Sequence, residues 1–260
     1  MEPAITFYPA SLPQRTAVTL VVHGLNLKPS AMLPLVHWLS CRGSEVYLVH
    51  LSGHGEGSRE MKEVTPGLWA GEMQEGYDRA RRAAAESGVP LYFLGYSLGA
   101  LLGQSMIAGQ QEGAAFDKQV LVAPAIGIRR HAYALRLLFP LGGKRTLPSF
   151  TPVGYRANPS LPLSVYRILF DEERKVLRSG FGPLRIPTLV VMDPRDELVS
   201  YRRWQQIAYN HLSSCRLLSL DPNLEGRNHR YHHLVIDERT MGKANWERFT
   251  GALDGFLFPG

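Results

Sequence analysis

Six short runs of this chain are apolar almost throughout, and they recur at intervals that a helix can fill. They are "TAVTLVV" (16–22), "SEVYLVHL" (44–51), "PLYFLGY" (90–96), "KQVLVAP" (118–124), "IPTLVVMD" (186–193) and "CRLLSLD" (215–221). Continuous rather than alternating apolar character is what strands need when helices cover both faces of their sheet. The intervening segments carry helical periodicity. Trp69, Met73, Tyr77, Ala80 and Ala84 repeat at about 3.6 residues, with Glu72, Asp78, Arg79 and Arg82 on other faces. Trp204, Ile207, Ala208 and Leu212 form a second such stripe, and Trp246, Phe249, Leu253 and Phe256 a third. Strand and helix in alternation predict an α/β fold with a mainly parallel, doubly wound sheet. Ligands in such a fold bind beyond the carboxyl ends of the strands.

The alternation fails once. From Gly127 to about Arg185 the chain is rich in proline and aromatic residues and offers no convincing strand. Because this stretch falls between two core strands, it is expected to be an insertion over the sheet. The expected division is therefore a core of residues 1–126 and 186–260, with a cap or lid at 127–185.

Chemistry enters with "LYFLGYSLGALLG" (91–103). Gly95-Tyr96-Ser97-Leu98-Gly99 matches G-x-S-x-G, preceded by a buried strand and followed by a helical pattern of Leu98, Leu101, Leu102 and Met106. Glycines two positions either side of the serine permit a sharp turn that pushes its hydroxyl out at the strand end. A serine hydroxyl is a poor nucleophile until a base takes its proton, and the imidazole needs an acid to orient it. A carboxylate and then a histidine are expected downstream, in that order. The strand at 186–193 leads into Asp193, Asp196 and Glu197, and "EGRNHRYHHLVIDE" supplies His229, His232 and His233. Upstream, "LVVHGLNLKPS" ends a buried strand in His23-Gly24. The backbone N–H of Leu25 just beyond it can join that of Leu98 in stabilising an oxyanion. His23 is expected to tie that loop rather than act as base. His229, His232 and His233 could also offer imidazoles to zinc from one helical face. A helix there is disfavoured by the neighbouring glycine and β-branched run, and no nearby Cys or carboxylate has ligand spacing, so no metal is expected.

On "VVHGL", "LSGHGEGS" (51–58), "LGYSLGA", "PTLVVMDPRDELVS" and "HHLVID", the chain resembles the α/β-hydrolases over nearly its whole length. The resemblance is to the small-capped carboxylesterase and monoacylglycerol-lipase-like branch. It implies an α/β-hydrolase fold with the cap at the 127–185 excursion, and a structural role for His54. After the acid-bearing strand the family has a glycine, two residues, the catalytic Asp, two residues and an aliphatic. Asp193, Asp196 and Val199 fall in that register, so the resemblance makes Asp196 the triad acid, with Asp193 where the family has glycine. Related esterases carry the base as His, four residues, Asp, and His232 before Asp237 has that spacing. Ser97, His232 and Asp196 are therefore the expected triad, with His233 the alternative base and Asp193 the alternative acid, Leu25 and Leu98 as oxyanion donors and no cofactor.

The implied substrates are short- to medium-chain acyl esters or monoacylglycerols, with "YALRLLF" and "VYRILF" of the cap covering an acyl pocket. A thioesterase or acyltransferase would use the same triad, and a hydrolase-fold receptor with little turnover would keep the fold. Net charge is +6, but the basic residues are dispersed as doublets without a long Lys/Arg tract, so no nucleic-acid partner is expected. Arg129, Arg130, Arg136 and Lys144 make transient contact of the cap with an anionic lipid surface an open expectation. Two cysteines, Cys41 and Cys215, make no disulfide framework and are expected to be reduced and partly buried. The first residues lack a basic start and apolar core, and no apolar run approaches the ~20 residues of a membrane span, so a soluble, cytoplasmic protein is expected.

Overall fold

The structure is a computed structural model that describes residues 4–55, 60–109, 115–180, 185–211, 213–224 and 231–259. In chain order the elements are β1 (Ile5–Tyr8), β2 (Ala17–Val22), α1 (Leu33–Ser40), β3 (Ser44–Val49), α2 (Pro66–Ser87), β4 (Leu91–Tyr96), α3 (Leu98–Gly109) and β5 (Lys118–Val122). There follow β6 (Thr146–Pro148), β7 (Ser160–Pro162), α4 (Leu163–Arg178), β8 (Thr188–Met192), α5 (Tyr201–Asn210), β9 (Cys215–Ser219), α6 (Glu238–Met241) and α7 (Lys243–Leu257). Among the described residues one sheet runs in the order β1-β3-β2-β4-β5-β8-β9. All its pairings are parallel except that of β1 with β3. The six expected strands are the parallel ones. β1 is an added antiparallel edge.

The apolar runs work as a two-faced surface. Val18, Leu20 and Val22 of β2, Phe93 of β4, Leu121 of β5 and Val190 and Met192 of β8 face one core, filled by Trp69, Met73 and Tyr77 of α2, Leu101 of α3 and Trp204 of α5. Val21, Tyr92, Leu94, Val120, Val122, Leu189 and Val191 face the other, under Leu35 and Leu39 of α1 and Phe249, Leu253 and Leu257 of α7. Successive strand residues point to opposite faces, so a strand buried on both sides is apolar at most positions, and polar side chains there are paired, as Thr19 is with Ser44 (2.7 Å) and Gln119 with Thr188 (2.7 Å). Helix ends follow local chemistry. Thr65 caps α2 by accepting from Leu68 N–H (3.2 Å), Pro66 takes the first helical position, and Gly88 closes the helix at φ +63°.

Between β5 and β8 the chain leaves the sheet, in a 3-10 helix at Arg130–Leu141, the β6–β7 hairpin and α4. The expectation of no strand in this stretch is corrected by the hairpin, whose strands are three residues each and carry too little periodicity to read. Val165, Ile168 and Val176 of α4 join the core above α3. The buried carboxylate of Glu173 on α4 accepts from Gly127 N–H (2.8 Å), Ile128 N–H (2.9 Å) and the Tyr133 hydroxyl, fastening the start of the excursion to its end. Both cysteines are free thiols; Cys41 is exposed rather than partly buried, and burial pushes the Cys215 thiol up to about 11. None of the described helices is long and apolar enough to cross a membrane.

Candidate active site

Ser97 occupies the single residue between β4 and α3, at φ +49°. Outside glycine that conformation is costly, and it persists only where the surroundings hold it. Here Ser97 N–H donates to Val122 O (2.9 Å), while its carbonyl accepts from Leu101 N–H and Ala125 N–H (both 3.1 Å). The two flanking glycines are needed for space. A Cβ on Gly95 would lie 2.6 Å from the Ala100 backbone, and one on Gly99 only 2.3 Å from the Val22 carbonyl oxygen. The turn therefore forces α3 against β2 and β4 and leaves the serine hydroxyl at the carboxyl edge of the sheet.

Two carboxylates and two histidines converge on that edge. Asp196 is fully buried; its Oδ1 accepts from Leu198 and Val199 N–H, each at 2.8 Å, and Oδ2 lies 2.8 Å from His233 Nδ1. His233 Nε2 lies 2.8 Å from Ser97 Oγ. A carboxylate only accepts, so His233 Nδ1 carries the proton and Nε2 is left to take the one on the serine. His232 faces elsewhere: its Nδ1 lies 3.1 Å from Oδ2 of the fully buried Asp193. The expectation that His232 sits on Ser97 is thus corrected to His233. Neighbouring side chains of this loop diverge, and the turn closed by Leu234 N–H on Tyr231 O (3.3 Å) aims the second histidine at the elbow.

Sequence reasoning missed two holders of this loop. Glu197 Oε2 accepts the backbone N–H of both His232 (2.9 Å) and His233 (3.0 Å), so the residue beside Asp196 fixes the backbone of both histidines. Tyr96, beside the serine, donates its hydroxyl to His233 O (3.2 Å). A carboxylate next to Asp196 in the sequence carries no mark of this use, since Glu197 was legible only as a rival acid. Burial is the largest single influence on the His233 imidazole and lowers its pKa, but the charge and hydrogen bond of Asp196 and the charge of Glu197 together outweigh it and leave the value raised.

The loop after β2 passes the serine closely. A Cβ on Gly24 would lie 2.7 Å from the Tyr96 ring and 3.1 Å from Ser97 Cβ, so Gly24 packs directly on the elbow. Leu98 opens α3, where its N–H has no partner four residues back within the helix. His23 is buried, contacts Gly24 O through Nδ1 (2.9 Å) and accepts from Leu51 N–H at Nε2 (3.1 Å), which ties the β2 and β3 loops. Burial above all holds its pKa well below the histidine range, so it is a neutral tie. His54 is likewise neutral, lowered to about 4 by burial, with Nδ1 against Leu51 O (3.0 Å). Among the described residues no group of three or more His, Cys, Asp or Glu is arranged for a metal ion; His229 lies outside them.

Solved structures place this architecture among known folds. A metagenome-derived lipolytic enzyme superposes with a TM-score of 0.73 at 20% identity, over 98% of each chain. A soluble variant of the Saccharomyces cerevisiae monoglyceride lipase, in complex with a substrate analogue, superposes with a TM-score of 0.76 at 12% identity, over 98% of this chain and 90% of that one. The monoacylglycerol lipase of Paleococcus ferrophilus gives 0.67 at 16% identity, over 99% and 98%. The fold is thus the α/β-hydrolase fold. None of the curated proteins matches in sequence. A family model described as serine aminopeptidase, S33, matches residues 13–167, more than half of the chain, including the Gly24 loop and the Ser97 elbow. The chain belongs to that hydrolase family.

Proposed function

We propose that this protein hydrolyses carboxylic esters, with Ser97 as nucleophile, His233 as general base and Asp196 as its orienting acid. The observation that carries this is the Ser97–His233–Asp196 relay of two 2.8 Å contacts ending on a strained elbow. Ser97 Oγ attacks the ester carbonyl as His233 Nε2 takes its proton, and Asp196 stabilises the imidazolium through Nδ1–H. The N–H groups of Leu25 and Leu98 receive the oxyanion, a role worth about 3–4 kcal/mol per donor in such sites. His233 then protonates the leaving alcohol, and water activated by the same imidazole releases the acid from the acyl-enzyme.

The substrate class in this proposal is short- to medium-chain acyl esters or monoacylglycerols, which accords with the lipolytic enzymes of the same fold. Residues 127–185 act as the cap. Leu137 and Phe150, each 81% exposed, and the exposed Leu141 and Val153 lie in the same stretch of sequence as Arg130, Arg136 and Lys144. That combination suits transient contact with a lipid surface.

The test is hydrolysis of p-nitrophenyl esters of increasing acyl length beside Ser97→Ala, with fluorophosphonate labelling to count reactive serines. Turnover with a chain-length optimum, absent in the variant, is expected. Because the family is described by aminopeptidase activity, amino-acid p-nitroanilides belong in the same plate. Turnover of anilides without esters would replace the ester reading by a peptidase one.

The pH profile offers a second check. Only neutral His233 can accept a proton, and its pKa is raised, so kcat/KM should fall as pH drops through a value above the ordinary 6.5. Glu197→Gln keeps an oxygen for both N–H groups but removes a charge that raises this pKa. The acid limb should then move to lower pH; an unmoved limb would mean the Glu197 charge does not reach the base.

A further inference from the structure

The Gly24–Leu25 loop has contacts of its own, with Leu27 N–H donating to Gly24 O (3.2 Å) and His23 Nδ1 against the same oxygen (2.9 Å), and the excursion adds a second set just beyond them. Asn26 is 1% exposed and sits at φ +57°, outside the region that most non-glycine residues adopt. Every polar group of its side chain is engaged by residues 149–158. Nδ2 donates to Ser149 Oγ (2.7 Å) and Asn158 O (2.9 Å), while Oδ1 accepts from Asn158 N–H (2.8 Å) and Asn158 Nδ2 (3.2 Å). Its carbonyl accepts from Ala157 N–H (2.9 Å), and two residues on Lys28 N–H donates to Tyr155 O (2.8 Å), with Leu27 bridged to Arg156. Asn158 Nδ2 also donates to Gly53 O (2.7 Å), so one side chain joins the loops after β2 and β3.

We propose that Asn158 is a positioning residue for ester hydrolysis, acting through Asn26 to set the Gly24–Leu25 peptide against Ser97. The inference rests on the function proposed above. It divides the excursion into parts with different duties: residues 149–158 are a brace for the oxyanion side of the site, not a lid that swings clear of it. Donors that stabilise a developing oxyanion act only when aimed in advance, and small misplacements weaken them steeply. Losing the brace should therefore reduce transition-state stabilisation while leaving ground-state binding of the acyl chain nearly intact.

The experiment compares wild type, Asn158→Ala, Asn26→Ala and the double variant on a p-nitrophenyl ester, with kcat expressed per serine titrated by a fluorophosphonate. Affinity for a trifluoromethyl ketone, which forms the tetrahedral adduct, is measured in parallel. For Asn158→Ala we expect kcat to fall about 10- to 100-fold with KM within about threefold, and the ketone to weaken in step. The double variant should be no worse than the poorer single one, because the two amides act as a unit. Ser149→Ala, which removes one hydroxyl from Asn26, should show a smaller loss in the same direction and serves if the asparagine variants fail to fold. A purely structural role would lower the number of titrated serines and leave kcat per serine and ketone affinity unchanged, and that result overturns the proposal. Wild type that labels at Ser97 but cleaves no ester removes the ester reading alone, since labelling rates still rank the variants. Wild type that does not label removes both.

Discussion

His233→Ala should abolish ester turnover, a loss on the order of 10⁴-fold or more, whereas His232→Ala should retain most of it. The two residues are adjacent and chemically identical, so the contrast isolates geometry. His233 bridges Ser97 Oγ and Asp196 Oδ2 at 2.8 Å each, while His232 is held by Asp193. Without His233 the hydroxyl has no base, and Asp196 keeps only its two backbone donors. His232→Ala instead removes one partner of a buried carboxylate, which costs about 1–3 kcal/mol of stability and should appear as a lower melting temperature. Turnover per titrated serine and a thermal melt on both variants separate these effects. Loss of turnover in His232→Ala with His233→Ala active would reverse the assignment.

Gly99→Ala should be the most damaging single methyl in the protein. Its Cβ would lie 2.3 Å from the carbonyl oxygen of Val22 and 2.6 Å from that of His23, both backbone atoms. They have little room to retreat, because β2 is paired with β3 on one side and β4 on the other, Val22 opposite Gly95. Overpacking of this kind costs about 3 kcal/mol or more, which for a chain of this size lowers Tm by roughly 6–12 °C. The displaced strand end also carries the Gly24–Leu25 peptide, so kcat should fall even in the folded fraction. Calorimetry and turnover per serine are the measurements. Wild-type values of both would mean that α3 does not press on β2 as described.

The parts legible in the sequence were those with a strong period or a strong motif. Five buried strands and the half-buried edge strand β9 showed as mostly apolar runs, and the elbow showed as G-x-S-x-G between a strand and a helix. β1 escaped because four residues with a buried first position and two half-buried ones make no run. α4 escaped because its amphipathic face lies in a proline-rich neighbourhood. Which histidine contacts Ser97 is hidden from the sequence for a more instructive reason. Counting back from Asp237 assumed that this residue marks a fixed distance from the base. Asp237 is instead the N-cap of α6, its side chain accepting from Thr240 N–H (2.7 Å) in a capping box. Spacing to a cap says where a helix begins, not which of two neighbouring side chains faces the serine. The other departure from the family pattern has the same root. Asp193, standing where a glycine is usual, and the extra histidine beside the base are partners of one another.

Ser97 sits at the end of the central β4, Asp196 follows β8, and His233 follows β9, the edge strand farthest from β1. The two contacts that define the site therefore span most of the sheet and join segments as much as 136 residues apart. No fragment ending before β9 contains a base for Ser97. Covalent labelling of this serine would consequently report completion of the whole sheet. During refolding it should appear with the last strands to dock, which makes the reaction a clock for assembly as well as an assay of chemistry.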